Sequence, residues 1–120
     1  INRVCEFNIL HVCDYAGRYT DLAPFVDYPG HVVNVGLELG STTLTGNDVA
    51  ELFGRPFMGG LERLDVVSTG STGEVKEAVS AACQAVSGDF ILGADCTLRN
   101  DTDWENIKTA VDTAHSFTRG

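Results

Sequence analysis

The sequence predicts an α/β fold built on a parallel sheet, and three observations lead there. Short β-branched, apolar runs alternate with stretches of helical periodicity, giving the order βαβαβαβα. The runs are apolar on both faces, as strands of a parallel sheet covered by helices are. Three of the helical stretches open on a capping pattern. Right-handed crossovers then make four βα units into either a small open sheet or half of an eight-stranded barrel.

The elements follow in chain order. Phe7-Asn8-Ile9-Leu10-His11-Val12-Cys13 is a short apolar run suited to a buried strand. A helix is expected around Tyr19 to Tyr28, starting near Leu22, because Pro24 is comfortable only in a first helical turn. His31 to Gly36 is β-branched and ends on glycine. Thr45-Gly46-Asn47-Asp48 is a weaker capping box ahead of Val49, Leu52 and Phe53, and Arg55 to Gly60 is the third strand. Ser71-Thr72-Gly73-Glu74 is a full capping box, and Val75, Ala78, Val79, Ala82, Cys83 and Val86 continue it as one apolar stripe. Asp89 to Ala94 is the last strand. Thr102-Asp103-Trp104-Glu105 caps the last helix, whose stripe is Ile107, Ala110, Val111 and Ala114.

Composition narrows the function classes. With 120 residues, 43% hydrophobic and 21% charged, the chain has room for one domain and one core. No apolar run approaches the roughly 18 residues of a membrane span, and no signal-like segment opens the chain, so a soluble, cytoplasmic setting without membrane contact is expected. Eight basic residues against seventeen acidic ones give a net charge of −9, which argues against nucleic acid as a partner. The four cysteines, Cys5, Cys13, Cys83 and Cys96, are too unevenly spaced for a disulfide framework. Thiols or metal ligands fit better. Nothing resembles Gly-x-Gly-x-x-Gly after a strand, and the glycines between Ser68 and Gly73 lack a P-loop lysine. The chain starts at Ile1, not Met, which suggests a processed or truncated product.

Several segments in succession resemble the C-terminal half of the uroporphyrinogen decarboxylase superfamily. Phe53-Gly54-Arg55-Pro56-Phe57-Met58-Gly59-Gly60-Leu61-Glu62 is similar to a strand running into a Gly-Asn-Leu-Asp turn. Ser68 to Val75 resembles a Gly-Thr-Pro-Glu-Glu-Val helix start. Phe90 to Cys96, then Asn100 to Ile107, resembles the last strand and an Asp-Thr-Pro-x-Glu-Asn-Ile helix. The resemblance implies that residues 1–120 form a (βα)4 half of a TIM (β/α)8 barrel with parallel strands. Such barrels run to about 250 residues, so the N-terminal half would be missing. A half-barrel leaves sheet edges and core residues bare, and the expected partner is that missing half or a second copy of the chain.

Chemistry is expected at the C-terminal strand ends. His11 and Cys13, two apart on one strand, share a face, and Cys96 ends the last strand. Three N/S donors with an open position suit catalytic zinc. The bland alternative makes His11 a satisfied polar core residue and the cysteines small buried hydrophobes. The same His-x-Cys…Cys pattern resembles the zinc motif of the methylcobalamin:coenzyme M methyltransferase type within the superfamily. That resemblance implies a corrinoid, as substrate or on a partner protein, and methyl transfer to a thiol. Glu38, just past the second strand, is either a displaceable fourth ligand, a catalytic base or a solvated loop carboxylate. Asp14, Glu62 and Asp95 are weaker rim candidates. His31, His115, Cys5 and Cys83 are expected to be structural or solvated. Uroporphyrinogen decarboxylases carry a His-Gly pair where this chain has Asp95-Cys96, which weighs against metal-free decarboxylation of a tetrapyrrole, the second reading. A non-catalytic half-barrel that only assembles is the third, and on any of the three the chain alone would be inactive or incomplete as an enzyme.

Overall fold

A computed structural model of the chain describes residues 3–14 and 16–118. Its centre is a four-stranded sheet of β1 (Ile9–Val12), β2 (Val32–Val35), β5 (Phe57–Leu61) and β6 (Phe90–Ala94), in that spatial order. All three pairings are parallel. Between β2 and β5 lie a two-stranded antiparallel hairpin of β3 (Glu38–Leu39) and β4 (Thr42–Thr43), and then helix α1 (Gly46–Phe53). One helical turn, α2 (Val66–Thr69), follows β5 and leads into α3 (Thr72–Ala85); α4 (Trp104–Ser116) closes the chain.

The expected α/β class and parallel order hold: the fold is a four-stranded parallel sheet with alternating helices, compatible with half of a (β/α)8 barrel. Strand order follows chain order, so each crossover returns to the neighbouring strand, as around a barrel wall.

Two adjacent rungs show how the sequence divides the sheet's faces. Leu10, Val33, Phe57 and Phe90 are consecutive partners across the four strands, and all belong to the core beneath the helices. The Phe57 and Phe90 rings stack at 6.1 Å, and Val33 is fully buried. Each such side chain stabilises the fold by about 1.5–3 kcal/mol relative to exposure. One residue further along, the partners are His11, Asn34, Met58 and Ile91, which point the other way because strand side chains alternate. Among the described residues no helix covers that face, and Ile9 and Ile91 remain 42% and 38% exposed on it.

Two helix starts, those of α1 and α3, are where the sequence placed them, and α4 begins one residue late, capped by Asp103. Thr45 and Ser71 each accept from the backbone N–H three residues on, while Asp48 and Glu74 accept from the cap's own N–H, so both capping boxes are complete. The stripe of α3 buries Val75, Val79 and Cys83 against Leu61 and Ala110. Gly60 lets α3 approach β5: its φ is +104°, and a Cβ there would lie 2.9 Å from that of Ala82. Gly54 ends α1 in the left-handed conformation, φ +65°.

The helix expected around Tyr19 to Tyr28 is not formed. Only a single 3-10 turn, Ala23–Phe25, stands there. Leu22, Phe25 and Val26 supply one turn of helical spacing, and Pro29-Gly30 stops the chain before a second turn can repay the cost of nucleation. The segment still packs inward, with Leu22 at 1% exposure. Among the described residues no helix is long and apolar enough to cross a membrane.

Candidate metal centre

Parallel strands put their C-terminal ends on one rim, and the chain delivers three soft donors there. His11 lies within β1, Cys13 one residue beyond its end, and Cys96 two residues beyond β6. Although these strands are the two edges of the sheet, one donor atom from each residue falls within 4.8 Å of the others. The Cys13 and Cys96 sulfurs are 3.7 Å apart. Curvature of the sheet toward its open face is what closes that distance.

The surroundings favour an ionised sulfur at Cys96. Burial opposes the thiolate, but hydrogen bonds from the Thr97 backbone, the His11 ring, the Cys13 thiol and the Thr97 hydroxyl outweigh it and hold the Cys96 pKa below its ordinary value. Such a thiolate is the form that binds soft metals.

His11 is anchored from behind. Its Nδ1 lies 2.6 Å from Oδ1 of Asn34, its partner residue on β2. The amide nitrogen of Asn34 donates to the carbonyls of Met58, 2.9 Å, and Ala94, 3.0 Å. One buried side chain thus links all four strands, from its own place on the rung of the histidine. Asn34 was not singled out in the sequence, although an asparagine inside an otherwise β-branched strand is a legible signal that a polar group needs it there.

Glu38 stands apart from the three donors. Its carboxylate oxygens accept from the Thr43 hydroxyl at 3.1 and 3.0 Å across the β3–β4 hairpin. It does line, with Cys96, a rim cleft of about 330 Å³ that also takes in Asp14, Glu62, Arg63 and Asp95. Asp14 caps its own loop by accepting from the N–H groups of Arg18 and Tyr19, and Asp95 accepts from the N–H of Arg63. Burial first, then the charges of Asp65, Glu38 and Asp95, push the Glu62 carboxyl above its usual range.

The remaining candidates lie elsewhere. His31 precedes β2 at the opposite end of the sheet, where its Nδ1 accepts from the Asn8 N–H at 3.1 Å and its ring stacks on Phe7. His115 is exposed near the end of α4. Cys5 is exposed ahead of β1, and Cys83 is buried beneath α3. Of the residues singled out in the sequence, His11, Cys13 and Cys96 meet in space, and Glu38, the candidate fourth ligand, is not among that group.

No protein-family model matches the chain, and no curated protein matches it. Among solved structures the fold is similar to a methyltransferase from Methanosarcina mazei, with a TM-score of 0.69 and 18% identity over 89% of this chain. The chain spans 30% of that protein's length. At that identity the likeness establishes the fold alone: this chain shares the architecture of one stretch of that longer protein.

Proposed function

We propose that the chain is the zinc-bearing part of a larger enzyme that moves a methyl group between a corrinoid and a thiol. The observation that carries this reading is the meeting of His11, Cys13 and Cys96 at the rim where such folds keep their chemistry. Support comes also from the likeness to the solved methyltransferase and from the succession of segments resembling the uroporphyrinogen decarboxylase superfamily.

The donor set fits zinc. One imidazole and two sulfurs are soft ligands of the right number for a catalytic site, which keeps a fourth position for substrate. His11, Cys13 and Cys96 would hold the ion. When bound, zinc supplies a Lewis-acid position at which a substrate thiol ionises at neutral pH. The chain's own residues orient and shield: Asn34 fixes the His11 ring, and the Thr97 N–H favours the charged form of Cys96. Glu38 lines the same cleft as Cys96 and would be the base that receives the proton an incoming thiol gives up. The corrinoid, on a partner protein or as free substrate, and the remainder of the barrel complete the enzyme.

Zinc analysis of the reduced full chain tests the reading. About one zinc per chain is expected, with Cys13→Ser and Cys96→Ser each losing most of it and Cys83→Ala retaining it. Zinc content unaffected by Cys96→Ser would sink the proposal.

A further inference from the structure

We infer that Asn34 is a positioning residue that selects the tautomer of His11, so that the ring offers Nε2, and not Nδ1, to a metal. The inference rests on the metal reading above and adds what makes the histidine a ligand. It begins with the asparagine. Asn34 is 7% exposed, so its amide has little recourse to water and must find its partners within the protein. Two backbone carbonyls, of Met58 and Ala94, lie 2.9 and 3.0 Å from one end of that amide. Carbonyls only accept, so this end is the NH2 group. The other end is then the carbonyl oxygen, which also only accepts. The His11 nitrogen 2.6 Å from it must therefore be the donor, Nδ1–H.

A neutral imidazole has one proton on nitrogen, so Nδ1–H leaves the lone pair on Nε2. The ring's free nitrogen is the one left to join Cys13 and Cys96, with whose sulfurs a ring nitrogen of His11 forms a group of donors within 4.8 Å of one another. Metal-binding histidines generally carry such a hydrogen bond on the nitrogen away from the metal. The arrangement is built into the sheet: the amide that sets the tautomer is held by strands β5 and β6, and the ring it orients sits on β1. His31 is an internal contrast. Its Nδ1 accepts from the Asn8 N–H, so it must carry its proton on Nε2. One chain thus holds two histidines in opposite tautomers.

Long-range proton–nitrogen NMR correlation of the imidazoles in the reduced, metal-free full chain reads this directly, at a pH where both rings are neutral. His11 is expected to show a protonated Nδ1 and a bare Nε2, with His31 showing the reverse. A His11 ring protonated at Nε2, or averaging between the two forms, would overturn the inference whatever the metal does. Zinc alone is then added. Its effect should fall on Nε2 of His11 while the Nδ1–H signal persists; perturbation of Nδ1 instead would overturn the assignment. No response of His11 to zinc, with the expected tautomer in place, would show the metal reading to be the part that failed, and the positioning role would go with it.

Variants separate positioning from packing. Asn34→Asp keeps an oxygen toward His11 and is expected to keep the Nδ1–H tautomer. Asn34→Leu removes it and should weaken zinc roughly 10- to 100-fold. The His31 signals report in each case that the sheet is intact. Asn34→Leu binding zinc as tightly as the parent chain, with His31 unchanged, would overturn the proposal.

Discussion

Glu62 shows how a single rim residue reports on the charge of the cleft. Burial, and the neighbouring Asp65, Glu38 and Asp95, raise its carboxyl pKa in the folded chain. Between the ordinary carboxyl range and that raised value the folded state holds more proton than the unfolded one, so this group's contribution to stability falls as pH rises through the window. Glu62→Gln removes the effect. Urea unfolding should find the variant more stable than the parent at neutral pH and the two alike once the pH drops below the ordinary carboxyl range; a difference that is the same at both pH values would refute the account. Cys83 provides a different single-residue test. It is buried at 5% exposure among Leu61, Val75, Val79 and Ala110. Cys83→Ala should cost about 1 kcal/mol in the same measurement, a common size for a small core truncation. At this scale much of the candidate site was legible: strand periodicity places His11 and Cys13 on one face, strand ends place Cys96 on the same rim, and the barrel reading is what brings the two edges of the sheet together. Asn34 was missed because its role depends on three carbonyl or imidazole partners that lie 23, 24 and 60 residues away.

Elements with a full local signal were read well, the helix expected around Tyr19 to Tyr28 on one turn of spacing was not formed, and elements that exist through long-range contacts were missed. The capped helices α1 and α3 start at the residues that the capping patterns mark, while α4 starts one residue later than its Thr102 to Glu105 pattern marks, with Asp103 as the cap. Hairpin β3–β4 and the single turn α2 have too few residues to show any period. What holds α2 is Asn106 of α4, buried at 2% exposure, whose amide nitrogen donates to the carbonyls of Val67 and Gly70. Ser68 adds a short bond from its hydroxyl to the Arg63 carbonyl. The two sorts of support predict different costs. Ser71→Ala removes an exposed helix cap and should destabilise by about 1 kcal/mol. Asn106→Ala strands two carbonyls in a buried setting, at about 1–3 kcal/mol for each group left without a partner, so it should be the costlier change. Chemical denaturation of the two variants checks the order, and equal losses would mean that water or a shifted α4 replaces the Asn106 bonds.

At the scale of the whole molecule the sheet has one covered face and one open one. Core residues lie toward α1, α3 and α4, while His11, Met58 and Ile91 look the other way with Ile9 beside them. Among the described residues strands β1 and β6 each pair on one side only, leaving a row of backbone donors and acceptors at both edges. In a closed barrel these edges would meet further strands and the open face would become the barrel interior. The solved methyltransferase, of whose length this chain spans 30%, is an example of a protein large enough to supply them. Apolar side chains on such a face favour association, each by an amount proportional to the area it hides. The chain on its own should therefore self-associate, or bind tightly a polypeptide that supplies the other strands. Light scattering should find a dimer or larger species, and Ile9→Lys combined with Ile91→Lys should shift it toward monomer with little effect on the helical content. Those two residues share a face but lie on opposite edges, so the paired substitution places charge across the whole interior wall. A monomer at micromolar concentration that binds no hydrophobic dye would mean the open face is stable in water as it stands, and the half-barrel would then be a complete two-layer domain whose His11, Cys13 and Cys96 face solvent directly.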